Sequence, residues 1–253
     1  MSSYPPGENR PDPTVRLAGD LDFRTAGLTR TEILQALEQA PRGLVIDLSA
    51  VGFIDSTGLA VLYEATRHVE RCGGRIRLRG LDLHHHRLLH TIGLASHFDL
   101  EAPHREERRG TAPATTVGAT PLGEIYRLPG EAASVPLIRN YVGAAAREMG
   151  FSEAGVRDIL IAVSEAATNA LKHGSPQGGR DEIAVRCHLE ADRLVVEVMD
   201  RGTGFDPLSV PVPVAEQMRE GGMGIFFMRT LMDEVSFDCG RGGTTVRLVK
   251  WRK

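Results

Sequence analysis

The chain has 253 residues, of which 42% are hydrophobic and 25% charged, a composition typical of a soluble globular protein with one or two domains. Its formal net charge of −3 argues against a surface that coats nucleic acid. No apolar run approaches the ~18 residues of a membrane span, and the N-terminus lacks the apolar core of a signal peptide. We therefore expect a cytoplasmic protein with no membrane partner and no direct nucleic-acid partner. The three cysteines, Cys72, Cys187 and Cys239, are far apart and odd in number, which favours reduced thiols.

Two stretches without apolar periodicity divide the chain. Residues 1–13 contain four prolines, and residues 102–122 combine a charged run with alanine, threonine, glycine and proline. Such compositions are typical of flexible lead-in and linker segments. We therefore expect one domain over residues 13–101, a flexible linker over 102–122 and a second domain over 123–253.

In the first domain, predicted strands alternate with predicted helices. The strands cover residues 14–22, 43–51 and 75–80, and the helices cover 25–40, 54–74 and 84–94. Within the first helix, four apolar residues recur at helical spacing: Leu28, Ile33, Leu34 and Leu37. The alternation predicts an α/β layer with right-handed crossovers.

The second domain begins with helices and continues with strands. Helices are predicted over residues 132–149, 152–173 and 225–233, and strands over 181–189, 193–199, 234–239 and 244–250. The first two strands are close enough to form a hairpin. Helices followed by a run of strands predict an α/β sandwich with a mixed sheet, so that the whole protein is a two-domain α/β chain.

The predicted helix over residues 152–173 carries polar side chains on one side. At 100° per residue, its apolar stripe must face the sheet. Glu165, Asn169 and Lys172 fall on the opposite side, with His173 at its margin. On this helix alone, the simpler explanation is a solvated polar face. A functional site requires other segments to converge on the same face.

Two glycine-containing segments downstream are candidates for that convergence. Residues 200–205 (DRGTGF) follow a buried strand, where a carboxylate can accept a hydrogen bond from an exocyclic amine and the glycines let a ligand approach the backbone. Residues 220–225 (EGGMGI) open a helix, whose N–H groups and dipole can face phosphate oxygens. Each motif alone is a weak signal. Glu165 and Asn169 on the helix, followed by the two motifs in this order, are together a specific one.

Four segments of the second domain closely resemble the anti-sigma-factor serine kinases of the GHKL ATPase superfamily. They are residues 165–173 (EAATNALKH), 200–205, 221–235 (GGMGIFFMRTLMDEV) and 242–248 (GGTTVRL), and the resemblance covers about residues 126–250. It implies a Bergerat-type, HATPase_c-like fold that uses ATP and Mg²⁺, with residues 206–220 as a lid over the nucleotide.

The resemblance also implies a role for each matching residue. Asn169 corresponds to the magnesium ligand, and Glu165 to the general base for the acceptor hydroxyl. Asp200 corresponds to the carboxylate that binds adenine, and Thr245 supports it. Lys172 matches a lysine that faces the phosphates. The phosphate and lid glycines are Gly202, Gly204, Gly222 and Gly224.

In the first domain, residues 47–62 (DLSAVGFIDSTGLAVL) and 19–22 (GDLD) resemble the STAS domains of anti-sigma-factor antagonists over about residues 13–101. The resemblance implies that Ser56 is the phosphoacceptor. From the residues alone, Asp55 or Ser56 is an ordinary N-cap of the following helix. Four neighbouring histidines invite a metal interpretation, but no cysteine or carboxylate is spaced to join them: His84, His85, His86 and His90. The resemblance to STAS domains implies that this segment begins a surface helix.

Together the two resemblances predict a partner-switching regulator. One part of the chain would be an ATP- and Mg²⁺-dependent serine kinase that binds a sigma factor, and the other its antagonist-type substrate. Its expected partners are a sigma factor, a STAS domain in cis or on another chain, a separate antagonist, a phosphatase, and a second copy of the chain in a homodimer. The alternative is an adaptor that binds ATP without catalysis and is regulated by the STAS domain.

Overall fold

The computed structural model describes residues 12–103, 122–175, 177–202, 204, 223–240 and 242–252. Its contacts divide the chain into two compact units. The first comprises Met1–Leu21, Thr25–Phe53 and Val61–Glu106; the second comprises Asp22–Arg24, Ile54–Ala60 and Glu107–Lys253. Two short segments from the N-terminal half of the chain are therefore part of the second unit. Most of the expected linker lies outside the described residues.

The N-terminal half of the chain forms a four-stranded sheet with the order β1-β2-β3-β4. Its elements are β1 (Thr14–Leu21), α1 (Ala26–Gln39), β2 (Gly43–Ile54), α2 (Ser56–Glu70), β3 (Arg75–Arg79), α3 (Leu83–Thr91) and β4 (Phe98–Leu100). β3 pairs in parallel with both β2 and β4, which agrees with the predicted α/β layer. The three-residue strand β4 was not predicted, because a segment so short has no measurable periodicity.

Burial in the first unit follows the predicted pattern with one exception. Leu44 and Ile46 in β2 and Ile76 in β3 are completely buried, as expected for strands covered on both faces. In α1, Ile33 and Leu37 are buried, whereas Leu28 is 79% exposed. Leu28 fits the helical spacing of the apolar residues, but its side chain lies on the exposed side of α1.

The second unit is built on a five-stranded sheet with the order β5-β6-β7-β9-β8. Its elements are β5 (Ile125–Pro129), α4 (Ser134–Glu148), α5 (Glu153–Gly174), β6 (Glu182–Glu190), β7 (Arg193–Met199), α6 (Met223–Leu231), β8 (Glu234–Gly240) and β9 (Gly243–Trp251). The edge strand β5 was not predicted. The other elements agree with the sequence to within about two residues at most ends, a usual uncertainty for element boundaries.

All described pairs of neighbouring strands in this sheet are antiparallel, and this corrects the mixed sheet that we expected. β6 and β7 are joined by a two-residue turn, which only an antiparallel pair permits. β7 and β8, which are joined through α6, run in the same direction but are not neighbours. β9 lies between them and pairs antiparallel with both, so these two strands form no parallel pair.

The core of the second unit lies between one face of this sheet and helices α4 and α5. The apolar stripe that the sequence indicates on α5 is in this core, with Val156, Ile159 and Val163 completely buried. A Cβ at Gly143 in α4 would lie 3.3 Å from Leu160, so the two helices approach closely at that point. Among the described residues, no helix combines the length and the apolar character needed to cross a membrane.

Candidate nucleotide and phosphoryl-transfer site

Glu165 and Asn169 lie one turn apart on α5 and meet the start of α6. Glu165 is buried and Asn169 is half-buried, whereas Lys172 is exposed. A Cβ at Gly224 would lie 2.9 Å from Glu165 Oε2 and 3.4 Å from Asn169 Nδ2. Because glycine stands there, the first turn of α6 can pack directly on the two polar side chains. The polar side of α5 is therefore not simply a solvated face.

The carboxylate of Glu165 is held by the first residue of α2. The Ser56 N–H donates a hydrogen bond of 2.9 Å to Glu165 Oε1, and both residues belong to the second compact unit. Burial raises the pKa of Glu165 to about 7, and the negative charge of Asp55 adds to this effect. Hydrogen bonds from Ser56 and the positive charge of Lys172 act in the opposite direction. A carboxylate with such a pKa is suited to exchange a proton near neutral pH.

The structure decides which of Asp55 and Ser56 caps α2. Asp55 Oδ1 accepts hydrogen bonds of 2.8 and 2.9 Å from the N–H groups of Thr57 and Gly58. Asp55 is therefore the N-cap of α2. Ser56 is the first residue of the helix and is also buried.

Asp200 lies directly after β7 and is held by backbone amides. Its Oδ1 accepts hydrogen bonds from the N–H groups of Gly202 (2.8 Å) and Thr244 (3.3 Å). Burial raises the pKa of Asp200, although the two amides and the charge of His173 favour the ionised form. The arrangement gives the carboxylate one orientation at the end of the strand.

Three glycines allow the chain to pass close to Asp200. A Cβ at Gly174, the last residue of α5, would lie 2.2 Å from Asp200 Cγ. A Cβ at Gly202 would lie 2.6 Å from Gly174 Cα, and one at Gly243 would lie 1.8 Å from the Asp200 carbonyl oxygen. Gly174 and Gly243 are requirements that we missed in the sequence. Their only signal was their position, directly after His173 and directly before two threonines.

Thr244 contacts Asp200 through its backbone. The Thr244 N–H donates to Asp200 Oδ1, and the Thr244 carbonyl oxygen accepts a 2.9 Å hydrogen bond from the Asp200 N–H. Thr244 is buried on the side of β9 that carries Val246 and Leu248, and Thr245 is on the opposite side. Side chains alternate along a strand, so a shift of one residue reverses the face. The role of Thr245 that the resemblance implies stays a prediction.

The remaining predicted residues are only partly described. Gly204 has φ of +76°, a backbone conformation that favours glycine. Gly222 and the expected lid over residues 206–220 lie outside the described residues.

The four histidines occur in α3 of the first unit. His84 and His85 are buried, and the side chain of Asp82 caps the helix by accepting a 2.7 Å hydrogen bond from the His85 N–H. The segment is therefore not wholly a surface helix. In the described ranges, no group of three or more histidine, cysteine, aspartate or glutamate side chains could hold a metal ion.

Comparisons with known proteins define the class of protein. The family model of the histidine kinase-like ATPase domain matches residues 128–250, and that of the STAS domain (Mlab, STAS domain) matches residues 7–100. Serine-protein kinase RsbW of Bacillus velezensis is 36% identical over 134 residues, which are 49% of this chain and 82% of that protein. Serine-protein kinase RsbW of Listeria innocua is 39% identical over 129 residues, which are 47% of this chain and 82% of that protein.

The chain belongs to the family of RsbW serine-protein kinases and joins their histidine kinase-like ATPase domain to a STAS domain. This confirms both resemblances seen in the sequence. Among solved structures, the RsbU and RsbW domains of a Mycobacterium tuberculosis protein are similar over 51% of this chain and 32% of that chain. The sequence identity is 22% and the TM-score is 0.37.

Proposed function

We propose that the protein is an ATP- and Mg²⁺-dependent serine kinase that acts in the partner-switching control of a sigma factor. Its substrate is Ser56 of the STAS domain, either in the same chain or in another copy of it. The observation that carries this proposal is the hydrogen bond from the Ser56 N–H to the buried carboxylate of Glu165. A candidate acceptor serine and a candidate general base are neighbours within one compact unit. The relatives named serine-protein kinases support the same activity.

In the proposed reaction, Ser56 Oγ forms a bond to the γ-phosphorus of ATP. The bond between that phosphorus and the oxygen bridging to the β-phosphorus breaks, and ADP leaves with the electron pair. The hydroxyl proton passes to the carboxylate of Glu165. Phosphoryl transfer depends mainly on positioning and charge neutralisation, so a fixed base and a fixed acceptor supply much of what is needed.

The nucleotide would lie between Asp200 and the start of α6. Asp200 accepts a hydrogen bond from the exocyclic amine of adenine, and the backbone N–H of Thr244 orients this carboxylate. The phosphate and lid glycines of this proposal are those that the resemblance implies, Gly202, Gly204, Gly222 and Gly224. Lys172, exposed at the end of α5, contributes positive charge on the same side.

Mg²⁺ fits the residues present. It prefers oxygen ligands, keeps several waters and takes the rest of its ligands from phosphates, so it needs few protein donors. Asn169 offers an amide oxygen from a half-buried position beside Gly224. When bound, Mg²⁺ would neutralise charge on the β- and γ-phosphates.

The regulatory proposal concerns what Ser56 phosphorylation changes. A phosphate on Ser56 adds a charge of about −1.5 to −2. Glu165 and Asp55 are both carboxylates near this serine, so repulsion would separate the phosphorylated segment from the kinase site. The partners proposed with this cycle are a sigma factor, a separate antagonist, a phosphatase and a second copy of the chain.

The full chain incubated with Mg²⁺ and ATP is expected to carry one phosphate on Ser56, measured by peptide mass spectrometry. Ser56→Ala is expected to carry none. Ser49→Ala, which removes an exposed serine of the same domain, is expected to react like the wild type. ATP binding without phosphate on Ser56 would instead favour the adaptor, and phosphate at other positions alone would refute Ser56 as acceptor.

A further inference from the structure

The first turn of α2 has three N–H groups that require acceptors outside the helix. The first intrahelical hydrogen bond runs from the Leu59 N–H to the Asp55 carbonyl oxygen (3.0 Å). The N–H groups of Ser56, Thr57 and Gly58 precede it and have no carbonyl partner within the helix. Two of these groups, those of Thr57 and Gly58, donate to Asp55 Oδ1. The third, that of Ser56, donates to Glu165.

Asp55 is held firmly in this position. Its second oxygen, Oδ2, accepts a 3.2 Å hydrogen bond from the Phe23 N–H. The residue is only 3% exposed. One carboxylate thus joins segments Asp22–Arg24 and Ile54–Ala60 of the second unit through three backbone N–H groups.

We propose that Asp55 is a positioning residue for phosphoryl transfer to Ser56, because its carboxylate fixes the helix turn whose first N–H holds Glu165 beside the acceptor serine. This role rests on the proposed kinase function. It has two separable parts. The hydrogen bonds of Asp55 set the geometry of the turn, and its negative charge acts on the proton affinity of Glu165.

The charge effect has a definite sign. Burial is the largest cause that raises the pKa of Glu165 to about 7, and the charge of Asp55 is the second. Lys172 on the same helix lowers this pKa. A general base must be deprotonated to act, so the transfer rate rises as pH increases through this pKa. Removing the charge of Asp55 lowers the pKa of Glu165, and the rise moves to lower pH.

Asp55 itself lies in a charged environment. Burial raises the pKa of Asp55 to about 6, and the nearby charge of Asp22 adds to this effect. Asp22 is paired in turn with two arginines, Arg24 and Arg139. At neutral pH, Asp55 therefore carries most of its negative charge, and its replacement by a neutral residue is a real change of charge.

The experiment compares Asp55→Asn and Asp55→Ala in the full chain. Single-turnover transfer from ATP to Ser56 is measured between about pH 5 and 9, a range that brackets the base. Asp55→Asn keeps an oxygen for the Thr57 and Gly58 N–H groups and loses only the hydrogen bond from the Phe23 N–H. Its plateau rate should therefore stay within about tenfold of wild type, with the midpoint at lower pH. Asp55→Ala loses both the charge and the hydrogen bonds that fix the first turn of α2, so its plateau rate should fall by about 10²-fold.

Asp82→Asn and Asp82→Ala are the matched controls, because Asp82 caps α3 in the same way. They should leave both the midpoint and the plateau rate unchanged. ATP affinity, measured on every variant, reports whether the kinase part is folded.

The inference is wrong if the wild type transfers phosphate and both Asp55 variants behave like the Asp82 variants. It is also wrong if the midpoint of Asp55→Asn does not move. A wild-type chain that binds ATP but never phosphorylates Ser56 would instead overturn the proposed kinase function, and this outcome is distinct. If Asp55→Ala does not fold, the midpoint of Asp55→Asn still decides the matter.

Discussion

Glu165→Gln is expected to slow phosphoryl transfer to Ser56 by about 10²- to 10⁴-fold, the usual contribution of general-base catalysis. Glutamine keeps an oxygen that can accept the hydrogen bond from the Ser56 N–H, but it cannot accept the hydroxyl proton. The substitution therefore removes the proposed chemistry and leaves the contact. ATP affinity should be unchanged, because the base acts on the acceptor and not on the nucleotide. Quenched-flow measurement of Ser56 phosphorylation, together with calorimetry, tests both statements.

The control for this prediction is Glu153→Gln on the same helix. Glu153 is exposed at the start of α5 and pairs with Arg147, so its replacement removes the same charge away from the site. The transfer rate of this variant should match that of the wild type. If Glu165→Gln transfers phosphate as fast as Glu153→Gln, another group takes the proton and our assignment of the base is wrong.

Asp200→Asn is expected to weaken ATP binding by about 10- to 150-fold. A hydrogen bond to a charged group is worth about 1.5–3 kcal/mol, and the amide places a donor where the adenine amine requires an acceptor. The asparagine oxygen can still accept from the Gly202 and Thr244 N–H groups, so the local backbone should be retained. The measurement is a calorimetric titration with ATP.

Asp181→Asn is the matched control for Asp200→Asn. Asp181 also accepts a hydrogen bond from a nearby backbone N–H, that of Gln177, but it lies before β6 and outside the proposed site. Its replacement should not change ATP affinity. If Asp200→Asn and Asp181→Asn bind ATP with equal affinity, Asp200 does not bind adenine.

Much of the candidate site could be predicted from the sequence, because its parts are local. Glu165 and Asn169 are four residues apart, so any helix brings them to one side. Asp200 comes directly after an apolar strand and is followed by a glycine-rich turn. The capping sequence around Asp55 and Ser56 likewise marks the start of a helix wherever that helix packs.

Other features could not be predicted, because they depend on residues distant in the chain. Whether Thr244 or Thr245 lies on the buried side of β9 depends on which face of the strand meets the core, and therefore on strand register. The antiparallel sheet depends on β9 lying between β7 and β8. Neither the spacing nor the composition of a single segment contains this information.

The sequence by itself determined most of the elements of this protein, because hydrophobic periodicity, caps and glycine turns act over a few residues. Its motifs resemble two known families, and this resemblance indicated the domain types. Only the tertiary structure decided the environment of Glu165. From the helix alone, a glutamate on the polar side should be solvated. Packing of α6 through Gly224, and the Ser56 N–H 109 positions away in the chain, bury its carboxylate instead. Burial is the largest cause of its raised pKa, so its proton affinity is a property of the folded chain.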